Sequence, residues 1–461
     1  MHSTMAILRH VVRASNRQAA LHDSSSARLG ERGTLVSVDA AHLVNSARWW
    51  VLALVSFANL GAYYVYDAIA PVADLLHRQL GFSYAEIGTL NAIVSLPNIA
   101  LALVGGLLAD RYGPAKVSIW ATASCFAGAV LTAIGSHFWI LVAGRFLFGI
   151  GGETTWLALL VGLGRWFVGP KVAFAMAMYF SLARVGSYLA DVSPQIAKPL
   201  YALDWQPPLI LAAVIAGLSV VAAIAYGAIE ARVPLPVKGG TPEQFNWSRL
   251  KGIDPAFWYL LWMATIFYAV VFPFRSTFSI EYFQNAKGLS LQDAGITNSW
   301  VFFAAIFATP FFGWIADRFG HKTGMMAIGM LTLAVSFAIL GATPWPLWVT
   351  TALVGLSYSL VPAVLWPAVT QVVDLRRLGT AFGLMASLQH GGMAVCNVVV
   401  GWLNDVSRAG PSHPSGYLPM LWFFALLSVV GFILIAWLWI REGAQGPRAP
   451  AQGSSIPVTP N

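Results

Sequence analysis

Apolar residues in this chain come in twelve runs of roughly 18–26 residues, parted by short stretches rich in Gly, Pro and charge. A helix of that length covers the roughly 30 Å of a bilayer's hydrocarbon core, so each run predicts a transmembrane helix. Spans 1–6 fall at about 48–71, 87–109, 117–135, 139–164, 172–197 and 208–230, and spans 7–12 at about 255–281, 293–316, 323–341, 346–372, 378–403 and 417–441. The polar stretch Glu230–Asp254 divides the pattern into six and six. The expected organisation is a disordered N-terminal tail 1–47, a six-helix bundle 48–230, a linker 231–254, a second bundle 255–441 and a disordered tail 442–461.

The exceptions inside the runs point to chemistry. Glu153 lies mid-way along span 4 within Gly144–Thr154, GRFLFGIGGET, and Arg184 lies mid-way along span 5. A charge at mid-membrane costs roughly 2.5–3.5 kcal/mol on insertion scales, so such residues face a partner or a wet cavity and mark function by default. An acid and a base at the same depth predict either an ion pair or a site for a zwitterion. Other polar and aromatic groups reach the same cavity by depth: Tyr63, Tyr66 and Asp67 of span 1, Tyr268 of span 7, Asn298 of span 8, Tyr358 and Trp366 of span 10, and Gln389 of span 11. Four more titratable groups are expected in support or coupling. Arg145 is expected to brace helices or support coupling, Asp191 lies beyond Arg184 on span 5, His390 is deep in span 11, and Arg275 is expected either to snorkel toward the surface or to act in selectivity or coupling.

A short pattern occurs twice. Gly106-Leu-Leu-Ala-Asp110-Arg111-Tyr-Gly113 follows span 2, and Gly313-Trp-Ile-Ala-Asp317-Arg318-Phe-Gly320 follows span 8, so that Asp317 stands 207 positions after Asp110. The same motif at matching places in two halves signals internal duplication. It resembles the loop motif of the major facilitator superfamily. That resemblance implies an all-α membrane fold of twelve helices in two six-helix pseudo-repeats around a central cavity, with the loop residues acting in gating.

Composition narrows the class further. Of the 461 residues 57% are hydrophobic and only 10% charged, against about 25% charged in soluble domains. The formal charge of +8 does not call for nucleic acid, because 20 of the 27 Lys and Arg fall on one side of the predicted membrane and four on the other. That bias puts both termini in the cytoplasm. No phosphate loop, HExxH, CxxC or nucleophile elbow is present, so no enzyme, cofactor or metal is expected. Cys125 and Cys396 lie within apolar runs and read as small core residues.

GRFLFGIGGET, SLARVGS, YAVVFPF, GLSYSLVPAVLWP and LGTAFGLMASLQHGG together resemble the lysosomal dipeptide uniporter family of animals. The resemblance runs in patches from span 1 to span 11. It implies that Glu153 takes a peptide's amino end and Arg184 its carboxylate, with Tyr63, Tyr66, Asp67, Tyr268, Asn298 and Trp366 at further motif positions. The chain departs from that family at Ala68, where an Asn is usual, and at Arg275, where an apolar residue is. Neither tail carries an acidic dileucine signal, and the one glycosylation sequon, Asn246-Trp-Ser248, lies on the predicted cytoplasmic side. The reading is a monomeric inner-membrane carrier, of bacterial type, that moves dipeptides or similar zwitterions, with protons as a further candidate passenger. The alternatives are an organic-anion carrier, for which Arg145, Arg184 and Arg275 would supply a basic cavity, and a receptor that binds without carrying.

Overall fold

The computed structural model describes residues 29–167, 171–233, 252–343, 345–373 and 377–445. The expected tails before 29 and after 445, and most of the linker, lie outside the described residues. So do the side chains of Gly106, Asp110 and Asp317. Residues 1–49 form one unit, whose described part, 29–49, is helical; residues 50–461 form a second. The described part of the stretch expected as a disordered tail is helical from Leu29. Residues 34–47 contain no Gly or Pro, and extending an existing helix costs far less than starting one.

Among the described residues, eleven helices are long and apolar enough to cross a membrane, and the helix Lys171–Ile196, with its 26 residues, stands at the position of span 5. The helices overrun the apolar runs at many ends because capping chemistry sets their limits. Span 2 starts at a capping box in which Ser83 and Glu86 bond each other's backbone, and it ends at Gly113 with φ +89. Span 8 starts at Ser290, whose hydroxyl accepts from the Asp293 N–H, and ends at Gly320 with φ +76. Both ends of span 8 follow those of span 2 by 207 positions (84 to 291, 112 to 319). The motif offset is therefore the offset of whole helices.

Packing repeats as well. Span 4 lies against spans 2 and 3, and span 3 against span 6; span 10 lies against spans 8 and 9, and span 9 against span 12. Two seams join the halves, span 2 with span 11 and span 5 with span 8. Glycines allow the backbones to close there. A Cβ on Gly88 would stand 2.3 Å from the Asn397 carbonyl oxygen, and one on Gly295 2.2 Å from that of Asp191.

Span 7 is interrupted, which the apolar pattern did not indicate. After Pro273 the chain makes a π-helical turn, Phe274–Phe278, before resuming as Ser279–Lys287. Proline removes a backbone donor, and the wider turn presents carbonyls sideways.

Close packing gives a test. A Cβ on Gly149 would lie 2.5 Å from the Val94 carbonyl oxygen, whereas one on Gly313 meets nothing within 4 Å. Gly149→Val is expected to abolish monodisperse, folded protein in size-exclusion chromatography, and Gly313→Val to elute as the parent does.

Candidate functional site

The polar residues at the seam sort into layers along the membrane normal. The middle layer holds Glu153, Arg184, His390, Tyr63, Tyr268 and Tyr358. Tyr358 is buried and the other five are part-exposed. They come from spans 4 and 5 in one half and 7, 10 and 11 in the other, with Tyr63 from span 1.

Glu153 and Arg184 are both central, but they do not pair with each other. Glu153 Oε2 instead lies 3.3 Å from His390 Nε2, across the seam. This corrects the expectation of a direct Glu153–Arg184 ion pair as the structural alternative. The Arg184 guanidinium sits among rings, its carbon 4.6 Å from the Tyr358 centroid, 5.5 Å from Phe302 and 5.8 Å from Tyr63. Rings stabilise a cation through their faces but accept few of its in-plane N–H groups, and Arg184 Nη1 is buried without a hydrogen-bond partner. The Tyr358 hydroxyl beside it is likewise unpartnered. Tyr63 lies within electrostatic range of both Arg184 and Glu153. Tyr268 stacks on Phe272, with centroids 5.7 Å apart and planes at 9°, and Trp366 meets Phe382 edge-on. Gln389 points inward with its Nε2 unpartnered. The layer thus offers an acid and a base that remain uncompensated by each other, framed by aromatic walls.

A second layer lies nearer the face opposite the Asp-Arg loops. Arg275 is 1% exposed, pairs with Asp67 of span 1, and reaches Asp191 of span 5 at 2.8 Å. Snorkelling is therefore ruled out for Arg275: two buried carboxylates hold it at the seam. Asn298 donates to Asp191 at 2.9 Å and to the Arg275 carbonyl at 3.1 Å, while its own oxygen accepts from Ser279. Asn91, which precedes Asn298 by the same 207 positions, donates to the Ser276 carbonyl and to Thr277, each at 2.8 Å. The Thr277 hydroxyl bonds Asn397 of span 11. The sideways carbonyls of the π-turn thereby become the hub of both seams. Asp67 and Asn298, expected to touch substrate, are engaged in this layer instead.

Arg145 joins spans 1, 2 and 4 through hydrogen bonds. Its guanidinium donates to the carbonyls of Leu90, Val65 and Tyr66 and to the Asn91 side chain. Val65 and Tyr66 are among the last residues of the helix Leu29–Asp67, where carbonyls lack intrahelical donors, so the cation also complements the helix dipole. Tyr66 is fixed between Arg145 and an edge-on contact with Phe272.

At the loop motifs, Gly113 and Gly320 adopt the positive φ that ends their helices. Arg111 lies over the Tyr112 ring and Arg318 over Trp314 and Phe319. Beside the first motif a groove of about 340 Å³ opens between spans 2, 3 and 4, lined by Leu101, Tyr112, Lys116, Trp120 and Ile150 among others. It lies apart from Glu153 and Arg184.

The sequence description of the Major Facilitator Superfamily matches residues 52–297 and 262–460. The chain is 30% identical over 429 residues to the lysosomal dipeptide transporter MFSD1 of Bos taurus, covering 88% of each. It is 24% identical to a probable sulfoacetate transporter, SauU, of Cupriavidus necator, covering 83% of this chain and 92% of that one. Among solved structures, a bacterial homologue of the human lysosomal transporter Spinster, in an inward-facing and unoccupied conformation, superposes with a TM-score of 0.68. It shares 18% identity and covers 86% of this chain and 96% of that one, a likeness of fold.

The buried pairing around Arg275 has a measurable consequence. Removing one partner of a buried ion pair typically costs about 3–5 kcal/mol. Arg275→Met should lower the unfolding temperature sharply, and combining it with Asp67→Asn and Asp191→Asn should recover most of the loss. An unchanged melt for Arg275→Met would show that the cluster does not hold the seam.

Proposed function

The chain belongs to the major facilitator superfamily, a family of membrane transporters, and we propose that it carries dipeptides or closely similar zwitterions by alternating access. The supporting observation is the state of the middle layer. Arg184 Nη1 is buried and unpartnered, and among the described residues Glu153 pairs with a histidine from the other half. A guanidinium fork complements a carboxylate, and a carboxylate complements an ammonium. The two ends of a small peptide satisfy both groups, with Tyr63, Tyr268, Tyr358 and Trp366 as walls. Similarity to dipeptide transporters along most of the chain favours the same cargo.

Alternating access needs two gates. The layer around Arg275 supplies one, closing spans 1, 5, 7 and 8 against each other beyond the middle layer. The paired loop motifs, with Arg111, Gly113, Arg318 and Gly320 and the acids Asp110 and Asp317, mark the other. The strong Lys and Arg bias assigns the loop-motif face to the cytoplasm, so the face sealed by Arg275 is the outer one. Both termini are then cytoplasmic, and the membrane is the inner membrane of a bacterium.

A second reading has support of its own. SauU is named for an organic anion, and Arg184 is a cation without a carboxylate partner. In that case Glu153 would serve His390 alone.

Uptake into liposomes of radiolabelled alanyl-alanine separates the two readings. Glu153→Gln and Arg184→Ala should each reduce uptake at least tenfold while the protein inserts and elutes normally. Dipeptide uptake at the parent rate by Glu153→Gln, with Arg184→Ala inactive, would favour the anion carrier.

A further inference from the structure

The face opposite the loop motifs carries a third polar layer, built around a residue with no role so far. Glu281, on the helix Ser279–Lys287, is wholly buried; among the described residues its carboxylate oxygens make no well-formed hydrogen bond, and the Tyr84 hydroxyl lies near them as a weak donor. Its surroundings come from both halves. Asp74 and Arg78 of the short helix after span 1, and Asp405 at the end of span 11, lie within electrostatic range, and Tyr84 of span 2 is adjacent. Each of these groups is already engaged. Arg78 pairs with Asp74 at 3.0 Å and is turned largely to solvent. The Asp405 carboxylate accepts the N–H groups of Tyr84 and Ala85, both at 2.8 Å, tying span 11 to the start of span 2. The hydroxyls of Tyr84 and Tyr417 bond each other at 2.6 Å, Asn285 donates to Tyr417, and the His77 ring packs on Tyr84. An ionised Glu281 would therefore be a buried charge with no salt-bridge partner among the described residues, beside two further carboxylates, an arrangement proteins avoid by neutralising the group.

We propose that Glu281 is a proton-binding site: it is occupied while this face is closed, and the proton leaves as the face opens and water reaches the carboxyl. Protonation adds a hydrogen to one carboxyl oxygen and removes the negative charge; opening returns that proton to the aqueous phase. The site is separate from the Glu153–Arg184 layer. It rests on the chain being an alternating-access carrier, but not on the cargo being a dipeptide. The sign follows from linkage. A proton held only in the closed state makes closure more favourable at low pH and less so as pH rises.

The test reads opening directly and needs no substrate. In the full chain, with Cys125 and Cys396 replaced by Ser, spin labels are placed at Leu203 and Ser412, exposed positions of the two halves on this face. Electron–electron distance distributions are recorded in nanodiscs between about pH 5 and pH 9, spanning the range in which buried carboxyls titrate. The parent should move from a short-distance to a long-distance population as pH rises, and Glu281→Gln, which keeps the neutral shape, should remain short throughout. A distribution in the parent that does not change with pH overturns the proposal. So does a pH response in Glu281→Gln equal to the parent's. Should Glu281→Gln fail to fold, the parent titration alone decides. Absence of alanyl-alanine uptake with the pH response intact would count against the dipeptide cargo and leave the proton site standing.

Discussion

A charge surrounded by apolar helices must be compensated, and the manner of compensation differs from layer to layer in this protein. Arg145 is satisfied by backbone carbonyls and an asparagine, so it is structural. Arg275 is satisfied by two acids that arrive from other helices, so its balance depends on those helices staying together. Arg184 is cushioned by ring faces with its Nη1 unpartnered, and among the described residues Glu153 pairs with a histidine from the opposite half. In the proposed mechanism what is fully paired braces, what is paired across a seam gates, and what is incompletely paired is available to a ligand.

The two proposed gates both draw on the same duplicated helix. Spans 2 and 8 share their offset from end to end, and each places an asparagine, Asn91 or Asn298, against the π-turn of span 7. One interruption in one helix therefore collects hydrogen bonds from both seams. Pro273 makes that possible by ending the regular helix just before the turn. A regular helix would keep these carbonyls for its own backbone, and each asparagine would then lose one of its buried acceptors, the Ser276 carbonyl for Asn91 and the Arg275 carbonyl for Asn298.

Much of the architecture was legible in the order of residues, because bilayer thickness forces long apolar runs and duplication leaves matching motifs. Glu153, Arg184 and His390 stand out for the same reason, since ionisable groups are rare at mid-span. Their partners did not stand out. Depth alone suggested that Glu153 and Arg184 face each other, but which side of a helix a residue occupies depends on rotation and tilt, and the structure pairs Glu153 with His390. The pattern leaves Arg275 between snorkelling and a buried role because it lies toward a span's end, where lysine and arginine often reach water; the two acids that pair with it come from spans 1 and 5, far away in sequence. Glu281 was invisible for a similar reason. It closes an apolar run, where an acid is ordinary, and only the fold reveals that Tyr84, Asp405 and Tyr417 enclose it.

The central claim is that Glu153 and Arg184 grip opposite ends of one small solute. Its most direct test is calorimetric binding of alanyl-alanine to the purified protein, beside its N-acetylated and C-amidated forms. Both blocked forms should lose at least tenfold in affinity, N-acetylation should cost nothing further in Glu153→Gln, and amidation nothing further in Arg184→Ala. Equal binding of free and blocked peptides by the parent protein would contradict the claim.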